Sequence, residues 1–143
     1  MTHTSESVHE KFGVSILDQE YPEMEVPILS GNQRQGDVMV LAVTTDQTGG
    51  ATRVEKAGVV VVRAESDARN THTLYSLSGE CLWRPNPRVD RDGELVQGWL
   101  TVRDGAEAVL LHTSEHSALG LAPGTYELRR QREYAGEWRR VAD

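Results

Sequence analysis

The sequence predicts an all-β fold, a single-domain sandwich or a small barrel, with an extended acidic N-terminal arm. Three observations carry this. The apolar runs are short and rich in valine, Gly/Asp/Pro turn signals recur about every ten residues, and no segment sustains a 3.6-residue period. The chain has 143 residues, the length of one domain that buries a core without staples.

The elements follow in order. Residues 1–35 read as the arm and 36–143 as the β-rich domain. The arm carries Glu6, Glu10, Asp18, Glu20, Glu23 and Glu25, and its apolar residues are scattered. Tyr21-Pro22 and Val26-Pro27 oppose a long helix, because the residue before proline avoids helical angles. Short extended pieces, loosely attached or packed along the body, are expected there. Asp37–Val43 is a continuous apolar run after a Gly-Asp turn, the mark of a buried strand. Ala57–Arg63 holds four consecutive valines, stiff at χ1 and suited to a sheet. Thr71–Leu77 and Cys81–Trp83 are short strands separated by Ser78-Gly79. Leu95–Val102 alternates. Asp104-Gly105 is a hairpin signal that returns the chain along Ala108–His112. Ala122-Pro123-Gly124 turns into Thr125–Tyr134, and Ala135-Gly136 makes a hairpin to Glu137–Val141. The expected core holds Val38, Val40, Leu41, Val59, Val61, Leu82, Leu100, Leu110 and Leu128.

Charge and cysteine content narrow the function classes. With 22 acidic and 15 basic residues the net charge is −7, which disfavours nucleic acid as a partner. The single cysteine, Cys81, excludes an intrachain disulfide and reads as a small core residue. No apolar run reaches the ~18 residues of a membrane helix, and no signal peptide is seen. A cytoplasmic or virion-associated protein is expected.

The chemistry-bearing residues lie mostly in the last third. His112 and His116 are four residues apart and share a face, with Glu115 between them and His72 at the end of a middle strand. Imidazole and carboxylate are zinc ligands, so His72, His112, His116 and Glu115 form a candidate metal set. The competing reading is a loop junction where histidines bond the backbone. Ser114 beside Glu115 and His116 does not make a triad, since triads need a shaped oxyanion site. His72 and Pro123-Gly124 stand loosely where cupin boxes would. However, Asn70 replaces a histidine there and the His pair precedes the Pro-Gly. Along the last long strand Tyr126, Leu128, Arg130, Arg132 and Tyr134 share one face. Arginine forks there suit a carboxylate or phosphate, giving Asn70, Arg130, Arg132 and Tyr134 as candidate binding residues. Cross-strand pairing with Glu133, Glu137 and the acidic arm is the alternative.

Glu115-His116, Pro123-Gly124-Thr125-Tyr126, Arg130-Gln-Arg-Glu-Tyr134 and Arg140-Val-Ala-Asp143 resemble the C-terminal pattern of a small family of bacterial and phage hypothetical proteins. That family's Gly-His-x-His box aligns with Arg69-Asn70-Thr71-His72, which keeps the second histidine only. The resemblance covers about half the chain, and implies that the two histidine stretches belong to one site, here degraded. It implies no activity.

These readings set three expectations. The first is a non-catalytic binding or assembly module, phage-encoded or part of a multi-protein bacterial system, with a protein partner or self-association into a homo-oligomer. The second is a metal-dependent, His-ligated enzyme, with zinc as the candidate metal and hydrolysis as the candidate reaction. The third is a small-molecule or nucleotide sensor using Arg130 and Arg132.

Overall fold

A computed structural model describes residues 3–4, 25–62, 71–89, 94–112, 118–130, 132–134 and 138–140. The side chains of residues 3–4, 25, 132–134 and 138–140 are outside that description. The strands are β1 (His3–Thr4), β2 (Glu25–Val26), β3 (Ile28–Leu29), β4 (Gln33–Gln35), β5 (Val38–Val43), β6 (Thr52–Arg53), β7 (Val59–Val62), β8 (His72–Ser78), β9 (Cys81–Pro85), β10 (Val96–Val102), β11 (Glu107–His112), β12 (Leu119–Leu121), β13 (Gly124–Arg130), β14 (Arg132–Tyr134) and β15 (Trp138–Arg140). Among the described residues there is no helix.

Two sheets pack face to face as a β-sandwich. One has six strands in the order β4-β5-β13-β10-β9-β6, the other five in the order β3-β12-β11-β8-β7. Each sheet keeps two edges among the described residues, so neither closes into a barrel. Two-stranded ribbons, β1–β2 and β14–β15, complete the pairing.

Asp104-Gly105 turns the chain but does not make the expected hairpin. β10 pairs with β9 and β13, whereas β11 pairs with β8 and β12 in the other sheet. The turn closes with Ala106 N–H donating to Arg103 O at 2.9 Å, and Gly105 takes the positive φ of 80° that glycine tolerates. An Asp-Gly turn reverses direction; whether the outgoing strand pairs with the incoming one or stacks over it depends on which apolar faces must meet.

Period-2 alternation selects the core. Val38, Val40, Cys81, Trp83, Leu100, Val102, Tyr126 and Leu128 of the larger sheet meet Val61, Val62, Leu74, Ala108, Leu110 and Leu121 of the smaller. Leu41, Val59 and Leu82 are only half-buried. Leu82 faces outward because Cys81 and Trp83, one step away on each side, face inward. The run Ala108–Leu111 is buried on both faces. Val109 and Leu111 join Val26, Leu77 and Ala118 in a second cluster that also packs Ile28 and Tyr75. Residues 25–35 of the predicted arm thus run along both sheets: β3 lies parallel to β12, and β4 is the outer strand beside β5.

Two glycines mark close approaches. A Cβ on Gly98 would sit 2.5 Å from the Trp83 ring, so glycine leaves room for the indole. A Cβ on Gly120 would sit 2.5 Å from Pro27 O, so glycine lets β3 approach β12. Tyr126 anchors the start of β13 by donating its hydroxyl to Ala122 O at 2.7 Å.

Candidate functional site

The end of β11, the start of β8, the β4–β5 turn and the end of β13 converge at one end of the sandwich. The antiparallel register places His112 directly opposite His72. Their ring centroids are 4.3 Å apart with planes tilted by 58°. His72 is 0% exposed and His112 3%. Two of the predicted site residues are therefore brought together from sequence positions forty apart.

The six-stranded sheet supplies the rest of the cluster. Gln35 Nε2 donates to Leu110 O at 2.9 Å, which turns its amide oxygen toward His72. His72 Nδ1 is 2.8 Å from that oxygen and therefore donates to it. His72 Nε2 then faces Asp37 Oδ1 at 3.8 Å. The other Asp37 oxygen accepts from Arg130 Nε at 3.3 Å, with both side chains almost wholly buried. The backbone of Arg130 is fixed as well, its N–H donating to Leu95 O at 2.9 Å beside the β10 bulge between Val96 and Gly98.

The arrangement is a buried brace. A carboxylate and a guanidinium balance each other out of water, and Gln35 orients one imidazole between the sheets. Burying such charges is tolerated because each is paired and hydrogen-bonded. His72 has a feature shared with metal-ligating histidines, a ring N–H held by an oxygen acceptor while the other nitrogen faces the site. Among the described residues, no group of three or more His, Cys, Asp or Glu side chains is arranged to hold a metal ion.

The remaining candidates divide as follows. Asn70, Glu115 and His116 lie outside the described residues. Arg132 and Tyr134 are in β14, where only the backbone is described. Arg130 points inward, in phase with Tyr126 and Leu128, and not onto an exposed hairpin face. The sequence reading missed Gln35 and Asp37. Cys81 is wholly buried, and that burial pushes its thiol pKa up, keeping it protonated.

The outer face of the six-stranded sheet is different in character. Trp99 is half-buried there, with the Arg84 guanidinium carbon 4.3 Å from its ring centroid and its indole N–H donating to Glu127 Oε1 at 3.1 Å. Beside it, a groove of about 410 Å³ is lined by Asn32, Gln33, Arg34, Met39 and Leu41.

Comparison with known proteins gives one family. A domain of unknown function, DUF8820, matches residues 34–131, from β4 to the residue after β13. No curated protein and no solved structure matches the chain.

Proposed function

The chain belongs to the DUF8820 domain family, and we propose that it is a non-catalytic binding or assembly module that engages a protein partner or a second copy of itself. One observation carries this reading. The chemically capable side chains His72, His112, Asp37 and Arg130 are buried in the interior, where His72 of one sheet meets Gln35 and Asp37 of the other. The outer face of the six-stranded sheet instead leaves tryptophan, methionine and arginine side chains partly accessible, residue types enriched at protein interfaces. No helix among the described residues is long and apolar enough to cross a membrane.

Light scattering of the full chain over a wide concentration range, alone and with host extract, tests this. Mass above the monomer, or a defined complex, supports the module. A monomer that turns over small ester or phosphate substrates, and forms no complex, sinks it.

A second reading keeps the zinc-dependent alternative, with His72, His112, His116 and Glu115 as its ligand set. It rests on His72, whose Nδ1–H is held by Gln35 and whose Nε2 faces Asp37. Elemental analysis of untagged protein decides it: stoichiometric zinc lost on replacing His72 favours the metal reading, and its absence removes it. The sensor reading draws no support from Arg130, which is bound to Asp37 in the interior.

A further inference from the structure

The strand register orders the outer face of the six-stranded sheet into three ladders of side chains. Arg34, Met39, Arg129 and Val96 form the first. Leu41, Glu127, Trp99 and Arg84 form the second. Val43, Thr125, Thr101, Leu82 and Arg53 form the third. Four arginines thus stand against one acid, in a chain where acids outnumber bases 22 to 15. That acid is already engaged: Glu127 accepts from Trp99 through one oxygen and faces Arg129 Nε at 3.4 Å through the other. The face is cationic although the protein is acidic.

Its apolar centre is ordered in advance. Trp99 is clamped between its bond to Glu127 and the Arg84 guanidinium, and Arg84 is held in turn by Gln47 Oε1 and Gly49 O. A fixed indole and guanidinium lose little side-chain freedom when a partner docks. The groove on this face is lined by the apolar Met39 and Leu41 together with Arg34. Methionine adapts its shape to a range of apolar side chains.

We infer that this face is a docking surface and that its occupant is an acidic, extended segment of a partner protein. An apolar side chain of that segment fills the Met39–Leu41 groove, and its carboxylates lie against Arg34 and Arg129. This rests on the binding-module reading and supplies its surface and partner class. Charge complementarity selects the occupant. A basic segment would meet four arginines. A nucleic acid strand would find the indole face already covered by Arg84 and the rest of the molecule repelling its phosphates.

The test is fluorescence polarisation with the full chain and three labelled probes: a peptide of glutamate and leucine, the same peptide with lysine for glutamate, and a single-stranded oligothymidylate. The variants are Arg34→Glu with Arg129→Glu, and Met39→Ser with Leu41→Ser, each shown by circular dichroism to keep the fold. The expected result is binding of the acidic peptide alone, weakened about tenfold or more by either double variant and reduced by salt. Equal binding of the lysine peptide, tighter binding of the oligonucleotide, or no effect of the variants overturns the inference. So does self-association that Arg34→Glu with Arg129→Glu abolishes, which would make the occupant a second copy. If the acidic peptide fails while the chain still forms a complex that these variants leave intact, this surface is wrong and the binding module stands. If no complex forms at all, both fall.

Discussion

Replacing Arg130 with methionine keeps the aliphatic stem in the core and deletes the guanidinium. It leaves Asp37, with its side chain 2% exposed, without the partner that lies 3.3 Å from its Oδ2. Removing one partner of a buried ion pair costs about 3–5 kcal/mol. A domain of this size is stable by about 5–15 kcal/mol, so roughly a fifth or more of the folding free energy is at stake. Arg130→Met with Asp37→Asn removes both charges together. The double variant should be less destabilised than the two single costs added together, because both single variants lose the same ion pair. Urea unfolding followed by tryptophan fluorescence reads the effect as a lower midpoint at unchanged slope. A loss below about 1 kcal/mol for Arg130→Met is the value of an exposed pair and would refute the buried brace. So would simple additivity in the cycle.

Three other outcomes are expected. Gly98→Ala places a methyl 2.5 Å from the Trp83 ring and 2.6 Å from Arg84 O, and should cost about 1–3 kcal/mol with a changed near-ultraviolet dichroism; no change would mean that β9 and the Trp83 ring yield there easily. Tyr126→Phe removes the bond to Ala122 O and should cost about 1 kcal/mol. Burial also raises the Tyr126 pKa above its ordinary value of 10.0, so the folded chain holds that proton where the unfolded chain has lost it. Its contribution is full below pH 10 and is lost as pH rises through the folded value; Tyr126→Phe should flatten part of this alkaline decline in melting temperature. Burial raises the Cys81 pKa in the same sense, so the thiol should resist a disulfide reagent in the folded chain and react in urea, and rapid labelling without denaturant would contradict its packing.

The long strands were legible because each combines apolar content with turn punctuation. β5, β7, β8, β10, β11 and β13 all fall within the segments expected from those two signals, to within a residue at their ends, and β9 runs two residues past the expected Trp83 to Pro85. The short ones were not. β3, β4, β6 and β12 span two or three residues, too few for any period to show, and they form through pairing with longer neighbours. Leu119–Leu121 reads equally well as part of a helical turn; it becomes a strand because β11 offers it a ladder on one side and β3 on the other. Pairing between sheets was hidden for a related reason. Turn chemistry is local, whereas the choice between hairpin and arch at Asp104-Gly105 is made by distant strands, β9 and β13 on one side and β8 and β12 on the other.

The site was half legible. His72 and His112 were singled out as residue types, and their juxtaposition follows from two antiparallel strands that start and end at one sheet edge. Gln35 and Asp37 were invisible because a polar residue beside Gly36 looks like turn chemistry until the facing histidine is known. Arg130 carried a signal that composition obscured. It follows Tyr126 and Leu128 at alternate positions on a strand whose other face holds Glu127 and Arg129. Strict alternation sends Arg130 into the core with the tyrosine and the leucine, and an inward arginine demands a buried acid. The nearest acid on a neighbouring strand's register is one step beyond Val38, the residue opposite Arg130 in the ladder, and that residue is Asp37. Phase, read before charge, therefore turns an apparent basic surface patch into half of an internal ion pair. It leaves Arg129, on the opposite phase, to the outer face.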